Sequence, residues 1–200
     1  MSFPLDRCGA VIIAGGKSIR MGKCKALLEI QGETMLSRLT RQLSQFSEVI
    51  LSANDPALAK GLPVRYIPDI YKGAGPAAGL HAALSATYND ALFCVPCDMP
   101  YFDPKLIDIL LNSFSFPLNG VICQDGSGHL HPLCGVYSKK VLPLLQKQLE
   151  DQEYRMSSIV KELNCCILNT SNILPDKVFF NMNTQEEFHN VVTDKEFFRE

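Results

Sequence analysis

The sequence has no apolar stretch of the ~20 residues that a membrane-spanning helix requires, and no strong excess of either charge. Its 19 lysines and arginines are nearly matched by 21 aspartates and glutamates. No overall basic field therefore favours nucleic acid or a membrane surface as the main partner. The N-terminus also differs from a secretory signal, because acidic and basic residues precede its short apolar stretch and glycines follow it. We expect a cytoplasmic protein whose partners include neither nucleic acid nor membrane.

Two standard phosphate-binding signatures are missing as well. Neither the Walker pattern G-x-x-x-x-G-K-[ST] nor the dinucleotide pattern G-x-G-x-x-G occurs. The sequence also contains no internal repeat, no low-complexity segment and no linker. Its length and its 46% hydrophobic fraction suit one folded domain over residues 1–200.

Eight cysteines are many for a chain expected in the cytoplasm. Several lie in apolar runs, where a free cysteine packs as a small hydrophobic residue, and a disulfide framework is not expected. Cys94 and Cys97 have the spacing of a redox pair, but Cys94 lies inside a strand-like run rather than at a helix start, which favours packing. A zinc site would need further ligands, and Cys134 and His131 are the candidates.

Short β-branched apolar runs alternate with helical patterns along the chain. This alternation predicts a layered α/β fold with a mostly parallel sheet, in which ligands bind beyond the carboxyl ends of the strands. Strands are predicted at 8–14, 48–54, 62–69, 91–98, 118–125 and 130–138. Helices are predicted at 34–45 after the N-cap Thr34, at 75–88, at 103–113 after the N-cap Asp103, at 139–150 and at 186–192.

The loop after the first strand combines glycines with positive charge. Gly15 and Gly16 let the backbone approach a ligand, and Arg20, Lys23 and Lys25 follow within reach of the same place. Backbone N–H groups with several cations are what a triphosphate requires. The alternative is a surface turn with solvated lysines, which the position at a strand end disfavours.

Two aspartates also follow predicted strands. Asp98 ends the run 91–98, where it faces the ligand crevice and can bind Mg²⁺ together with phosphate oxygens. Asp69 precedes the glycines at 73–75, which lead into a helix whose N-terminus favours an anion. The alternatives are a turn or capping aspartate at 98 and an ordinary glycine-rich connection after 69.

Near the C-terminus, Asn181 and Asn183 lie two residues apart and point to one side of an extended segment. Thr184 and Glu187 have the spacing of a capping box for the last helix. The alternative for the asparagines is a role in the turn alone. We interpret His81 and His189, which lie on helical stretches, as structural or surface residues.

Taken together, these stretches resemble the molybdenum cofactor guanylyltransferases. The resemblance is carried, in order along nearly the whole chain, by "IAGGKSIRMGKCKALLEIQG" (13–32), "SAN" (52–54), "PD" (68–69), "GAGPAAGLHAAL" (73–84), "CDMPYFDP" (97–104), "HPLCGVY" (131–137) and "NMNTQEEF" (181–188). It implies a three-layer, Rossmann-like nucleotidyltransferase fold. It also implies transfer of GMP from GTP to molybdenum-molybdopterin, with Mg²⁺, release of pyrophosphate and formation of the guanine dinucleotide cofactor.

The resemblance further implies roles for individual residues. The nucleotide would lie against Ile13, Ala14, Gly15 and Gly16, with Ser52 and Asp69 also contacting it. Lys25 and Arg20 would contact phosphates, and Asp98 would bind magnesium. The acceptor side of the site would be lined by Asn181 and Asn183. Molybdoenzymes or cofactor-delivery proteins would be further partners.

Two positions depart from the family pattern. Similar proteins commonly carry aspartate where this chain has Cys24, and some carry asparagine where it has Ser52. Cytidylyl-transferring relatives tend to have alanine at the position of Gly15, where a methyl group could crowd a purine. The alternatives are therefore a transferase of the same fold acting on CTP or a sugar phosphate, and a non-catalytic GTP-binding module that delivers the cofactor.

Overall fold

The computed structural model describes residues 2–15, 24–194 and 198. Its strands are β1 Cys8–Ile13, β2 Glu29–Ile30, β3 Glu33–Thr34, β4 Val49–Ser52, β5 Arg65–Ile67, β6 Ala91–Pro96, β7 Gly120–Gln124, β8 Leu130–Ser138 and β9 Cys166–Asn169. Its α-helices are α1 Met35–Gln42, α2 Gly75–Ala86, α3 Lys105–Ser113, α4 Leu142–Glu150, α5 Met156–Glu162 and α6 Gln185–Thr193.

A seven-stranded mixed sheet forms the centre, in the order β5-β4-β1-β6-β8-β7-β9. The pairs β5–β4, β4–β1, β1–β6 and β7–β9 are parallel, whereas β8 runs antiparallel to both β6 and β7. All six residues of β1 and of β6 are buried, as expected for strands covered on both faces. The predicted α/β fold with a mostly parallel sheet is confirmed.

Two hydrophobic clusters cover the two faces of this sheet, so the fold has three layers. Along β1, Ala10 and Ile12 join the cluster with α1 and α3, while Val11 and Ile13 join the cluster with α2, α4 and α5. A third, smaller cluster lies between the β2–β3 hairpin and α6 and includes Met182. None of the helices in the described part of the chain has both the length and the apolar character to cross a membrane.

The predicted helix starts are mostly confirmed. Thr34 caps α1 by accepting a hydrogen bond from Ser37 N, and Thr184 and Glu187 form the predicted capping box of α6. The prediction for α3 is wrong by one residue. Its N-cap is Pro104, and the Asp103 carboxylate accepts from Lys105 N in the turn before the helix.

Four elements were not predicted: β2, β3, α5 and β9. The two-residue strands β2 and β3 are joined by a turn in which Gln31 and Gly32 both have positive φ. The edge strand β9 has no fully buried residue, so it lacks the alternation of buried and exposed positions that identifies a strand. The two strands of the hairpin are too short to show an alternating pattern. Strand β9 pairs with β7, which is distant in the sequence, and short-range patterns do not report such pairing.

One irregularity interrupts the pairing of β7 with β8. Ile122 pairs with Gly135, but Cys123 pairs with His131, so Pro132, Leu133 and Cys134 bulge out of register. As a result, His131 stacks on Phe179 at one face of the sheet while Leu133 packs against the cluster at the other face.

Candidate active site

Three side chains from distant parts of the sequence meet at the carboxyl end of β6. The ammonium group of Lys25 donates to Asp98 Oδ2 at 2.9 Å and to Asn183 Oδ1 at 2.7 Å. The side chains of Lys25 and Asp98 are only 17% and 21% exposed, so this ion pair is largely shielded from solvent. We call these three residues the Lys25 cluster.

Backbone contacts fix the position of the Lys25 cluster. The Asp98 carbonyl accepts from Met182 N at 2.9 Å, which ties the segment before α6 to the end of β6. Glu187 Oε2 accepts from the backbone N–H groups of Asn183 at 2.6 Å and Thr184 at 2.8 Å. These hydrogen bonds lower the pKa of Glu187, which keeps it ionised as an acceptor. The α6 capping box therefore also holds Asn183 against Lys25.

A pocket of about 160 Å³ opens beside the Lys25 cluster. We call it the strand-end pocket, and its lining includes Ile13, Ala14, Gly15, Cys24, Lys25, Pro76 and Asp98. Pro76 lies in the first turn of α2, where the partial positive charge of a helix N-terminus favours an anion. A Cβ built on Gly15 meets no atom of the described residues within 4 Å.

Ser52 and Asp69 form a second polar group at the same edge of the sheet. Ser52 Oγ donates to Asp69 Oδ1 at 2.8 Å, and Ser52 is the registered neighbour of Ile13 across β4 and β1. Burial raises the pKa of Asp69, although the hydrogen bond from Ser52 opposes the rise. A Cβ on Gly79 would collide with Ser52 Oγ, so α2 requires glycine there to pack this close to β4.

The structure thus brings Ile13, Ala14, Gly15, Lys25 and Asp98 together and places Ser52 and Asp69 one strand away. Asn183 joins through Lys25, whereas Asn181 is exposed and contributes its carbonyl, which accepts from Asn183 Nδ2 at 2.9 Å. The predicted residues Gly16, Arg20 and Lys23 lie outside the described residues. The roles of all these residues in binding and catalysis stay predictions.

The residues present fit a magnesium ion that is held mainly by substrate. Asp98 supplies one carboxylate to the strand-end pocket, and Mg²⁺ typically takes one or two carboxylates together with phosphate oxygens and water. Within residues 2–15, 24–194 and 198, no group of three or more histidine, cysteine, aspartate or glutamate side chains could by itself hold a metal ion.

The zinc alternative does not fit the structure. Cys94 packs in the cluster on one face of the sheet, whereas Cys97 and Cys134 pack in the cluster on the other. Cys134 Sγ contacts Met99 Sδ at 3.1 Å, and His131 pairs with Asp125 instead of a cysteine. Burial raises the pKa of Cys97 to about 12, which is consistent with a packed thiol. His81 is buried, as a structural histidine should be.

A second, larger cavity of about 580 Å³ lies where α6 faces the ends of β7 and β8. We call it the aromatic cavity, and its lining includes Tyr101, Asp125, His131, Phe179, Phe180, Glu187 and Asn190. Sequence reasoning missed it, because its lining comes from segments that are far apart in the chain. Asp125, which ends the predicted strand 118–125, and His131, which lies in the next predicted strand, are the signal that could have located the cavity.

Comparisons with known proteins identify the family of this chain. A model of the MobA-like NTP transferase domain matches residues 10–166. The chain is 28% identical over 194 residues to a probable molybdenum cofactor guanylyltransferase of Clostridium perfringens, covering 94% of this chain and 97% of that protein. It is 31% identical over 199 residues to the protein of the same name from Peptoclostridium acidaminophilum, covering 94% and 90%.

Solved structures show the same fold. The structure is similar to that of molybdopterin-guanine dinucleotide biosynthesis protein A from Archaeoglobus fulgidus, with a TM-score of 0.79 at 20% identity over 92% of this chain and 96% of that one. It is also similar to a CMP:2-keto-3-deoxy-manno-octonic acid synthetase complexed with CTP, with a TM-score of 0.71 at 14% identity over 93% and 97%. At these identities the likeness establishes the nucleotidyltransferase fold.

Proposed function

This chain belongs to the MobA-like NTP transferase family, and from that premise we propose that it transfers GMP from GTP to molybdenum-molybdopterin. The products are the molybdopterin guanine dinucleotide cofactor and pyrophosphate. The names of the relatives support this acceptor and this nucleotide. Molybdoenzymes, or proteins that deliver the cofactor to them, are the partners that would take the product.

The observation that carries the proposal is the meeting of Lys25 and Asp98 at one pocket. Their side chains are 2.9 Å apart although they are 73 residues apart in the chain. A cation and a carboxylate at the end of a parallel sheet are what a nucleotide triphosphate with its metal requires. The N-terminus of α2 adds a third favourable contact for phosphate at the same pocket.

The chemistry needs positioning more than proton transfer. The terminal phosphate of molybdopterin has a second pKa of ~6, so it is largely dianionic at neutral pH and can attack without a strong general base. One of its oxygens would form the new bond to the α-phosphorus of GTP as the bond to the β-phosphate oxygen breaks and pyrophosphate leaves. Because both reactants are anions, Lys25 lowers their repulsion and stabilises charge in the transition state.

Magnesium is part of the proposal, with Asp98 as the residue that would hold it. When bound, the ion would neutralise charge on the triphosphate and on the departing pyrophosphate. Lys25 would contact the phosphates, and Asn183 holds the Lys25 ammonium in place by accepting a hydrogen bond from it.

The choice of guanine rests on the Ser52–Asp69 pair and on Gly15. Asp69 carries an acceptor carboxylate that can bind the N–H groups of a guanine edge or a ribose hydroxyl. No atom of the described residues lies within 4 Å of a Cβ at Gly15, which would leave room on that side for the larger ring of a purine. Ser52 holds Asp69 in place by its hydrogen bond.

The direct test measures pyrophosphate release with Mg²⁺, molybdopterin-bound molybdenum and each of GTP, CTP, ATP and UTP. We expect release with GTP and little with the other three nucleotides. A preference for CTP would support the cytidylyl alternative and reject the guanine assignment. A sugar phosphate in place of the molybdopterin acceptor should give no release above background.

The non-catalytic delivery module is the second candidate, and Cys24 is the observation that favours it. This cysteine lines the strand-end pocket beside Lys25 and Asp98, at the position where similar proteins commonly carry an aspartate. A delivery module would bind GTP without releasing pyrophosphate. Binding measured by calorimetry alongside the release assay therefore separates the two functions.

A further inference from the structure

We propose that the aromatic cavity binds the pterin ring of the acceptor, while the acceptor's phosphate reaches the strand-end pocket. The inference rests on the proposed function for the identity of the acceptor. Molybdopterin consists of a phosphate joined through a methylene group to a fused ring system that ends in a pterin. Such a molecule needs two neighbouring sites of different chemistry, one for the anion and one for a flat, donor-rich heterocycle.

The two sites lie at the same edge of the sheet. Because β8 is antiparallel to both β6 and β7, the carboxyl ends of β6 and β7 point the same way, and they carry Asp98 and Asp125. His131 lines the aromatic cavity and Leu133 the strand-end pocket, so β8 reaches both within about 7 Å of chain.

Hydrogen bonds connect the two sites more directly. Lys25, in the strand-end pocket, donates to Asn183, whose backbone N–H donates to Glu187, in the aromatic cavity. A single residue, Asn183, thus bridges a side chain of each site. A ligand with its phosphate at Lys25 would have its ring system at the entrance of the cavity.

The cavity has the size and the walls of a heterocycle site. Its volume of about 580 Å³ falls in the range of roughly 300–1,000 Å³ that is usual for small-molecule sites. Aromatic side chains of Tyr101, Phe179 and Phe180 line it, and His131 stacks on Phe179 with ring centroids 4.4 Å apart. Flat faces of this kind suit a planar ring system.

The polar groups of the cavity are mainly hydrogen-bond acceptors. Burial alone would raise the pKa of Asp125, but hydrogen bonds from Ser127, His131 and His129 hold it well below its usual range, so the carboxylate is ionised. His131 Nε2 lies 2.8 Å from Asp125 Oδ2, and burial lowers the pKa of His131, so the ring is neutral at pH 7. An ionised carboxylate can only accept, which assigns the ring proton to Nε2 and makes Nδ1 an acceptor.

Charge distinguishes the cavity from a phosphate site. Asp125, Asp176 and Glu187 line it, whereas Lys177 pairs with Asp194 and lies 4.2 Å from the centre of the Tyr101 ring. Three carboxylates repel a phosphate but attract a ring that presents amino and N–H donors. A pterin presents these donors along its pyrimidine edge, which matches the acceptors described above.

The first test fills the cavity from its exposed side. Asn190 lies on the surface of α6 and lines the cavity, whereas its neighbour His189 is also exposed but is not part of the lining. We expect Asn190→Trp to raise the KM for the molybdopterin acceptor by roughly ten-fold or more, with kcat and the KM for GTP changed little. The matched control His189→Trp should leave all three constants unchanged. An unchanged acceptor KM in Asn190→Trp, or an equal rise in the KM for GTP, would overturn the proposal.

The second test does not depend on turnover. The fluorescence of 6-hydroxymethylpterin is titrated with the wild-type protein and with both tryptophan variants, in the presence of saturating GTP and Mg²⁺. Pterin binding that persists with GTP and weakens only in Asn190→Trp supports the aromatic cavity as the pterin site. This result would stand even if no pyrophosphate release were detected and the proposed transfer did not occur. Displacement of the pterin by GTP would place it in the nucleotide site and reject the inference, as would an absence of binding.

Discussion

The two halves of the central sheet present different chemistry at one edge. The parallel half, β5-β4-β1-β6, ends in short polar side chains and in the shielded Lys25–Asp98 pair, around a pocket of about 160 Å³. The half that contains antiparallel β8 borders a cavity of about 580 Å³ with aromatic walls and several carboxylates. A compact charged site and a wide aromatic site suit the opposite ends of one acceptor, and the difference predicts which variants should affect which end.

The largest effect is expected at Asp98. Asp98→Ala should reduce turnover by about 10²–10³-fold or more, because the carboxylate that would bind magnesium is lost. The melting temperature should fall only modestly, because Lys25 loses its ion-pair partner but keeps its hydrogen bond to Asn183. Pyrophosphate release under saturating substrates measures the loss.

Asp108→Ala is the matched control, because Asp108 is an exposed carboxylate on α3, away from both sites. It should retain wild-type turnover. Mg²⁺-dependent activity close to wild type in Asp98→Ala would remove Asp98 from the mechanism. It would also contradict the assignment of the charged site to the parallel half of the sheet.

Lys25→Ala should have the next largest effect. We expect a loss of more than ten-fold in kcat, taking ~1.4 kcal/mol as the least that a lost transition-state contact costs. Lys161→Ala, which removes an exposed lysine from α5, serves as the control. Steady-state kinetics of both variants decide the point, and an unchanged rate in Lys25→Ala would contradict the proposed role of the ion pair.

A smaller effect is expected from Gly15→Ala, and it concerns nucleotide choice. The added methyl meets no atom of the described residues within 4 Å, so the fold of that part should be unaffected and a change in nucleotide preference reports on the ligand. The ratio of kcat/KM for GTP to that for CTP should fall by roughly three- to ten-fold, less than a closed pocket would impose. If the ratio stays constant, Gly15 does not contribute to the recognition of guanine.

The smallest effect concerns stability and compares one buried histidine from each half. His81 of α2 is 4% exposed, and neither of its ring nitrogens has a hydrogen-bond partner among the described residues, whereas His131 of β8 pairs with Asp125. At pH 7, His81→Leu should be neutral or stabilising by about 1 kcal/mol, because an unpaired buried polar group is removed. His131→Leu should instead lose about 1–3 kcal/mol, because it leaves the Asp125 carboxylate without its partner.

The pH dependence sharpens this comparison. Burial lowers the pKa of His81 below its ordinary 6.5, so below that pH the unfolded chain takes up a proton that the folded chain does not. The free energy of unfolding of the wild-type protein therefore decreases as the pH falls below 6.5. The difference in this free energy between His81→Leu and wild type should grow from pH 7 to pH 5. Urea denaturation at both pH values measures it, and parallel profiles for wild type and variant would contradict the burial argument.

The parallel half could be predicted from the sequence because its signals are local. The continuous apolar runs of β1 and β6 identify strands without reference to distant residues, and strand ends of a parallel sheet lie at one edge. The approach of Lys25 to Asp98 follows from that rule. In the other half, β7 and β8 were also predicted, but the exposed edge strand β9 carries no comparable pattern.

The site in the second half depends on contacts that only the tertiary structure creates. Glu187 was correctly predicted to cap α6, but its hydrogen bond to Asn183 N depends on how the extended segment enters the helix. The pairing of His131 with Asp125 likewise depends on the irregular register of β8. The aromatic residues of the cavity, including Tyr101 and Phe179, are separated by long stretches of chain and show no periodicity in common.

The three-residue bulge in β8 determines how one strand can contribute to both the strand-end pocket and the aromatic cavity. In a regular strand, side chains two residues apart project from the same face, so His131 and Leu133 would both lie on one face of the sheet. The three extra residues instead place His131 and Leu133 on opposite faces of the sheet. One strand therefore contributes a side chain to each of the two sites. Deleting the bulge to restore the regular register would therefore remove the contribution of β8 to one of the two sites.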